Sequence, residues 1–418
     1  MEPVLAVLSL VVLGWAVLSR RLAGWNITGP VVLSAAGFLL GNQAWGPVPV
    51  DVDAPSVHLL VELTLALLLF SDASRVNLPT LRRDVGIPAR LLGIGLPASV
   101  LLGTLAAALL FNDLTWALAL FVGAALAPTD AALSTQVIED ERVPARVRRA
   151  LNIESGLNDG IVTPIVVFAL ALAATQLGHS GEDSGGVGAG LELVIGIAIG
   201  VVLGFVSAKL LAGASRRGWV IHGGRRLGAL ATAVGSFALA EVLGGNAFIA
   251  AFVAGMAFGA AFPPDVAAVD EVVELPELLG EVLALGVWFL FGAALVPFAL
   301  EHVSLATLAY AVLSLTIIRM LPVAVGLAGT GLDTQTVGFI GWFGPRGLAS
   351  VVFAILAIEQ LGEFETVGPA ISVVAVTVLL SVLAHGVSAG PLVRRYARSH
   401  GDGAPGGHSG PRARRRGA

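Results

Sequence analysis

Two carboxylates, Glu154 and Asp159, stand in the stretch NIESGLNDG, directly ahead of the uncharged run IVTPIVVFALALAATQL. An ionised carboxylate in hydrocarbon is expensive unless it finds a partner, water or a cation. Ser155 and Asp159 are four residues apart and share one face of a helix. Glu154 and Asn158 form a second such pair, about 100° further round. Asp159, with Ser155, Thr129, Asp130 and carbonyls freed where the preceding helix breaks, can form an oxygen cage for a hard monovalent ion. Asn158 stands beside Asp159 where a second aspartate would add a titrating group, and an amide carries no proton. Glu154 points elsewhere and is expected to pair with an arginine of the second half, Arg346 first and Arg319 second. For Asp130 there is also a plainer reading, as the cap of a broken helix.

The elements that must hold these groups are membrane helices. Hydrophobic residues make up 56% of the chain and charged ones 13%, against about 25% charge in soluble domains. Apolar runs of roughly 20 residues span a bilayer. They fall at about 3–19, 27–43, 57–76, 90–111, 114–138, 149–176, 190–214, 227–243, 246–262, 275–299, 303–328, 335–360 and 364–390. The fold class is therefore an all-α polytopic membrane protein of about 13 transmembrane helices. With no cysteine, disulfides and thiolate metal sites are excluded.

Charge orients these spans. Of the 24 basic residues, 22 fall in or beside alternate loops, from Arg20 and Arg21 to the seven arginines from Arg394 onwards. Positive-inside then puts the N-terminus outside and the C-terminus in the cytoplasm, with 391–418 as a disordered basic tail. One loop resists: 263–274 belongs with the basic loops yet is acidic. The arginines of the first span follow its apolar run, so it reads as a retained span rather than a cleaved signal.

Breaks in the helices point to the site. Span 5 carries Pro128 in APTDAALS, and span 12 carries Gly344, Pro345 and Gly347 in GWFGPRGLAS. Both favour unwound backbone. Each is the fifth helix of a six-helix half, if 3–176 and 227–390 are repeats joined by the span 190–214. Seven spans between equivalents invert one half against the other, the pattern of secondary transporters. At 1.5 Å per residue, Asp130 and Asp159 lie roughly 12 to 15 Å from the cytoplasmic face, at matching levels on adjacent helices. Six acids lie well inside spans (Glu62, Asp72, Asp130, Glu154, Asp159 and Glu281), against two arginines. That surplus indicates a cation pathway. Glu62 and Glu281 are expected to face water or a neighbour, and His58 and His385 to sit near the membrane interfaces.

Together, ESGLNDG, APTD, LLLFSDAS and GWFGPRGLAS resemble the motifs of the monovalent cation:proton antiporter-1 family, whose bacterial members are NhaP-type sodium/proton antiporters. The resemblance covers essentially the whole membrane region. It implies inverted six-helix repeats, a homodimer formed through one bundle, and an elevator-like motion of the other. It implies that Asp159 binds the ion and the proton, with Thr129, Asp130 and Ser155 as neighbours, and that Glu154 and Arg346 are its ion-pair positions. The third motif departs, with FSDA where relatives often carry FEGG, and places its carboxylate at Asp72. The expected activity is exchange of sodium for protons in a cell membrane, with one carboxylate serving both cargoes and the exchange hence electroneutral. Potassium and lithium remain open, because selectivity rests on cage geometry. No cofactor and no nucleic-acid partner are expected. An intramembrane protease is the competing class, and two inverted halves with an ion cage argue against it.

Overall fold

The computed structural model describes residues 2–25, 27–52, 54–76, 86–178, 186–362 and 364–401. The described residues form an all-helical, multi-pass membrane protein. Eight helices are long and apolar enough to cross a membrane: Pro3–Leu22, Pro55–Ser74, Gly86–Leu110, Ala145–Gln176, Gly190–Arg216, Val269–Glu301, Leu305–Gly326 and Val367–Ser399. Four shorter apolar helices (Gly29–Gly41, Trp116–Ala125, Ala247–Ala261 and Leu348–Leu361) and His222–Val242 complete thirteen rods among the described residues, in the order read from the sequence.

These rods are α1 (Glu2–Ala23), α2 (Gly29–Gly41), α3 (Pro55–Ser74), α4 (Gly86–Leu110), α5 (Trp116–Ala125, resuming over 132–138) and α6 (Ala145–Gln176). There follow α7 (Gly186–Arg216), α8 (His222–Val242), α9 (Ala247–Ala261), α10 (Val269–Glu301) and α11 (Leu305–Gly326). The last two are α12 (Thr334–Trp342, resuming over Leu348–Leu361) and α13 (Phe364–Gly401). Their starts are written locally. Thr115, Asn246, Ser304 and Asp333 accept from the amides of Leu118, Ile249, Thr307 and Thr336 and so cap α5, α9, α11 and α12. Gly362, at φ 58°, ends α12 in the left-handed conformation.

Two groups of helices pack internally. α4, α5, α6, α11, α12 and α13 form one; α2, α3, α7, α8, α9 and α10 form the other, with α1 against α2. They meet where α10 touches α13 and α12, where α3 touches α6 and α12, and where α7 and α9 touch α6. In the second group α7 lies on α9 through Gly196, Gly200 and Gly204. A Cβ on Gly196 or Gly200 would stand 2.6 Å from the Asn246 or Ala250 carbonyl oxygen. Small residues at this spacing let two backbones approach where lipid offers no hydrophobic driving force.

The acidic loop that resisted the charge pattern is neutralised by its basic neighbours. Arg216 pairs with Asp265 at 2.9 Å, Arg226 with Glu274, and Arg75 with Glu277 and, at 3.4 Å, Asp270. The 9–10 connection therefore lies on the same side as the arginine-bearing ends of α3 and α7. α13 runs helically to Gly401, past the expected end near 390, so 391–401 are helix rather than tail. The remainder of the expected tail, Arg82, Arg83 and most of the loop GHSGEDSGGVGAG lie outside the described residues.

Candidate functional site

The two interrupted helices cross each other at their breaks. Asp130 N donates to the Pro345 carbonyl at 2.9 Å. The Asp130 carboxylate accepts from Ala132 N at 2.7 Å, Leu133 N at 3.3 Å and Leu348 N at 2.9 Å. It thus caps the resumed parts of both α5 and α12, at the positive ends of two half-helices. Gly347 makes the crossing possible, since a Cβ there would overlap the Asp130 carboxylate.

Arg346 serves the other end of the break in α5. Its guanidinium donates to the carbonyls of Ala127 at 2.8 Å, Pro128 at 3.2 Å and Ser314 at 3.3 Å, and Ser350 donates to Ala125 O at 2.6 Å. A half-helix ending inside a membrane leaves carbonyls that must be satisfied within the protein, and a cation suits that negative end. The carbonyls of Ala127 and Pro128, expected to help build the ion cage, are thus already engaged by Arg346.

For the same reason Arg346 is not the partner of Glu154, contrary to the expected order. Arg319 of α11 takes that place: Nη1 and Nη2 donate to the two carboxylate oxygens at 2.5 and 2.9 Å, with both side chains 2% exposed. Paired bonds of this kind are among the stronger polar contacts. Gly344 admits this arginine to the break in α12, as a Cβ there would overlap the guanidinium. The four residues of GPRG thus divide the work of the break. Gly344 admits Arg319, Pro345 offers its carbonyl to Asp130, Arg346 caps α5, and Gly347 clears Asp130.

On α6, one turn beyond the ion pair, the hydroxyls converge. Asn158 Nδ2 donates to Thr129 Oγ1 at 2.8 Å and lies 3.3 Å from Thr129 O; Thr129 Oγ1 lies 3.0 Å from Ser155 Oγ. Thr129 Oγ1 accepts from Asn158, so its own proton is free to go to Ser155. That leaves Asn158 Oδ1 buried without a partner among the described residues. Asp159, half-buried, stands one turn from Ser155, and its carboxylate makes no hydrogen bond or ion pair among the described residues. Asp72 faces this turn from α3: a Cβ on Gly156 would meet Asp72 Cβ at 3.8 Å. Asp130 and Asp72 are the like charges that act on Asp159.

The structure thus brings Asp159, Ser155, Thr129, Asn158, Asp130 and Asp72 into one neighbourhood, with Pro128, Gly344, Pro345 and Gly347 at the crossing. Glu281 is exposed and Glu62 half-buried. His58 pairs with Glu359 at 2.9 Å. His385, expected at an interface, is buried against the break in α12. Ser350, Ser381 and His385 carry no sequence signal for these positions. Their partners are backbone groups of distant segments, which no spacing encodes.

The sequence profile of the family described as "Sodium/hydrogen exchanger, transmembrane" matches residues 7–395. The Na(+)/H(+) antiporter NhaP of Pseudomonas aeruginosa is 31% identical over 66% of this chain and 65% of its own length. The K(+)/H(+) antiporter NhaP of Alkalimonas amylolytica is 26% identical over 88% of this chain and 63% of its own. The chain thus spans less than two thirds of either relative's length. Among solved structures, the sodium proton antiporter MjNhaP1 from Methanocaldococcus jannaschii at pH 8 has the same fold. Its TM-score is 0.74 at 21% identity, covering 95% of this chain and 99% of that one.

Proposed function

The chain belongs to the sodium/hydrogen exchanger transmembrane family, and from that premise we propose that it exchanges a monovalent cation, sodium first, for protons across a cell membrane. The observation that carries the reading is the Asp159 carboxylate. It has no protein partner among the described residues, yet it stands one turn from Ser155, whose hydroxyl meets that of Thr129 at the crossing of two broken helices. The deprotonated carboxylate binds the cation with Ser155 and Thr129. Asp130, already holding three amides, contributes charge while keeping the half-helices in place. Either cargo neutralises Asp159, and the empty charged site is too costly to carry through the barrier. Competition for one carboxylate then couples the two fluxes.

Access alternates as the group containing α4–α6 and α11–α13 moves against the other, with the repeats 3–176 and 227–390 inverted about 190–214. The chain acts as a homodimer in the plasma membrane, N-terminus outside and C-terminus in the cytoplasm. The relative named as a potassium/proton antiporter supports potassium as a second reading. Purified protein in proteoliposomes decides between them: sodium, potassium and lithium are added in turn and proton efflux is followed. Proton movement on sodium addition that Asp159→Asn abolishes is the expected result. Proton flux unchanged by that substitution would remove the proposed site.

A further inference from the structure

His385 lies on α13, 2% exposed, where that helix touches the interruption of α12. Its Nε2 is 2.8 Å from the carbonyl oxygen of Trp342, the last residue of the first half of α12. Its Nδ1 is 2.8 Å from the carbonyl oxygen of Ser381, one turn back on α13. The ring stacks on the Trp342 indole with centroids 5.2 Å apart, which restrains it from turning away. A neutral imidazole has a single N–H. In either tautomer one ring nitrogen therefore turns a lone pair towards a carbonyl oxygen at hydrogen-bonding distance. The imidazolium donates at both.

The charges around the ring oppose that cation. Arg346, from the break of α12, and Arg319, from α11, act on it with like charge. Arg319 is neutralised by Glu154 of α6, and Asp130 of α5 is occupied by three amides. The ring thus has a carbonyl acceptor for each of its two possible N–H groups, and an imidazole is the side chain whose charge solution pH changes. What the ring holds is the segment that makes the crossing. Trp342 O also accepts from Gly344 N at 2.8 Å. Ser381 Oγ, 3.3 Å from Nδ1, accepts from Arg346 N at 2.7 Å.

We propose that His385 is a positioning residue of the exchange cycle: its imidazolium clasps the first half of α12 to α13, and loss of the proton slackens residues 343–347, which carry Arg346 and abut Asp130. The link to exchange rests on the function proposed above; the clasp itself does not.

Hydrogen–deuterium exchange on the full chain in nanodiscs, corrected for intrinsic rates, tests the clasp at Gly344 and Arg346. Between about pH 8 and pH 5.5, across the range of an imidazole, protection of these amides in the native chain should rise roughly tenfold or more, the worth of a charge-assisted hydrogen bond. His385→Gln, which cannot titrate, should show one level of protection at both pH values, with α9 as an unchanged internal reference. His385→Asn serves if the glutamine variant does not fold. Equal protection of the native chain at both pH values, or a variant that keeps the full difference, would overturn the clasp. In proteoliposomes at saturating cation, the variant should lose the part of the pH dependence of kcat that tracks the clasp, with KM little changed. An identical kcat profile in native chain and variant would overturn its role in exchange. If no sodium-driven flux occurs in either protein, the exchange reading fails, and the amide measurement still decides the clasp.

Discussion

Arg319 and Arg346 are both fully buried, and each is held in a different way. Arg319 is charge-paired; Arg346 is spent on carbonyls at the end of a half-helix. Removing one partner of a buried pair leaves an uncompensated charge, at about 3–5 kcal/mol. Glu154→Gln should therefore lower the thermal midpoint in detergent, and adding Arg319→Gln should recover part of the loss. If instead Arg346→Gln rescues Glu154→Gln and Arg319→Gln does not, Glu154 and Arg319 are not partners. Surviving Glu154→Gln protein should keep its pH dependence of exchange, because Asp159 is untouched. A second expectation concerns Gly347, where a methyl group would overlap the Asp130 carboxylate. Gly347→Ala should cost most of the folded yield, read by size-exclusion chromatography, and full yield with native midpoint would contradict the crossing.

Helices in lipid associate through packing rather than water exclusion, which makes the α7–α9 contact sensitive to single methyl groups. Gly200→Val should weaken the second helix group, because its Cβ would fall 2.6 Å from the Ala250 carbonyl and 2.8 Å from Val253 Cβ. Gly235→Ala on α8 meets nothing within 4 Å and should be neutral or better, since alanine favours helix over glycine by about 1 kcal/mol. A thermal melt of both variants is the check: equal midpoints would mean that α7 and α9 do not approach this closely. The interrupted helices obey the opposite logic. They gain length from the break, and their stability rests on polar groups supplied by the partner helix, Asp130 for α12 and Arg346 for α5.

The ion pairs that join the acidic 9–10 connection to Arg75, Arg216 and Arg226 give the molecule one charged face. Because the chain has no cysteine, introduced thiols report sidedness cleanly. Asp113→Cys should react with an impermeant maleimide in intact cells, and Arg217→Cys only after permeabilisation. The reverse pattern would invert the molecule. Coupling is also a property of the whole transporter. If Asp159 alone alternates between one proton and one cation, exchange is electroneutral. An imposed potassium-diffusion potential should then leave the initial sodium/proton exchange rate unchanged. A steep voltage dependence would bring in Asp130 or Asp72 as a second titrating group, since close carboxylates titrate together.

Thirteen apolar runs, the inward carboxylates and the proline and glycine interruptions were legible in the chain because each is a local signal. Hydrophobic length marks a span, an unneutralised acid marks a site, and Pro128 or Gly-Pro marks a break. The face shared by Ser155 and Asp159 follows from helical periodicity alone; the capping reading of Asp130 follows from the break beside Pro128, and its three amide partners bear it out. Which arginine meets Glu154 was decided by the tertiary structure. Both candidates carry the same charge, and the choice turns on which one the carbonyls of α5 claim first. The same holds for Gly344 and Gly347, legible as helix breakers but needed as clearances for Arg319 and Asp130, and for His385, whose partners are two carbonyls. Charge and periodicity are written residue by residue. The direction in which a buried donor finds its acceptor exists only once distant helices cross.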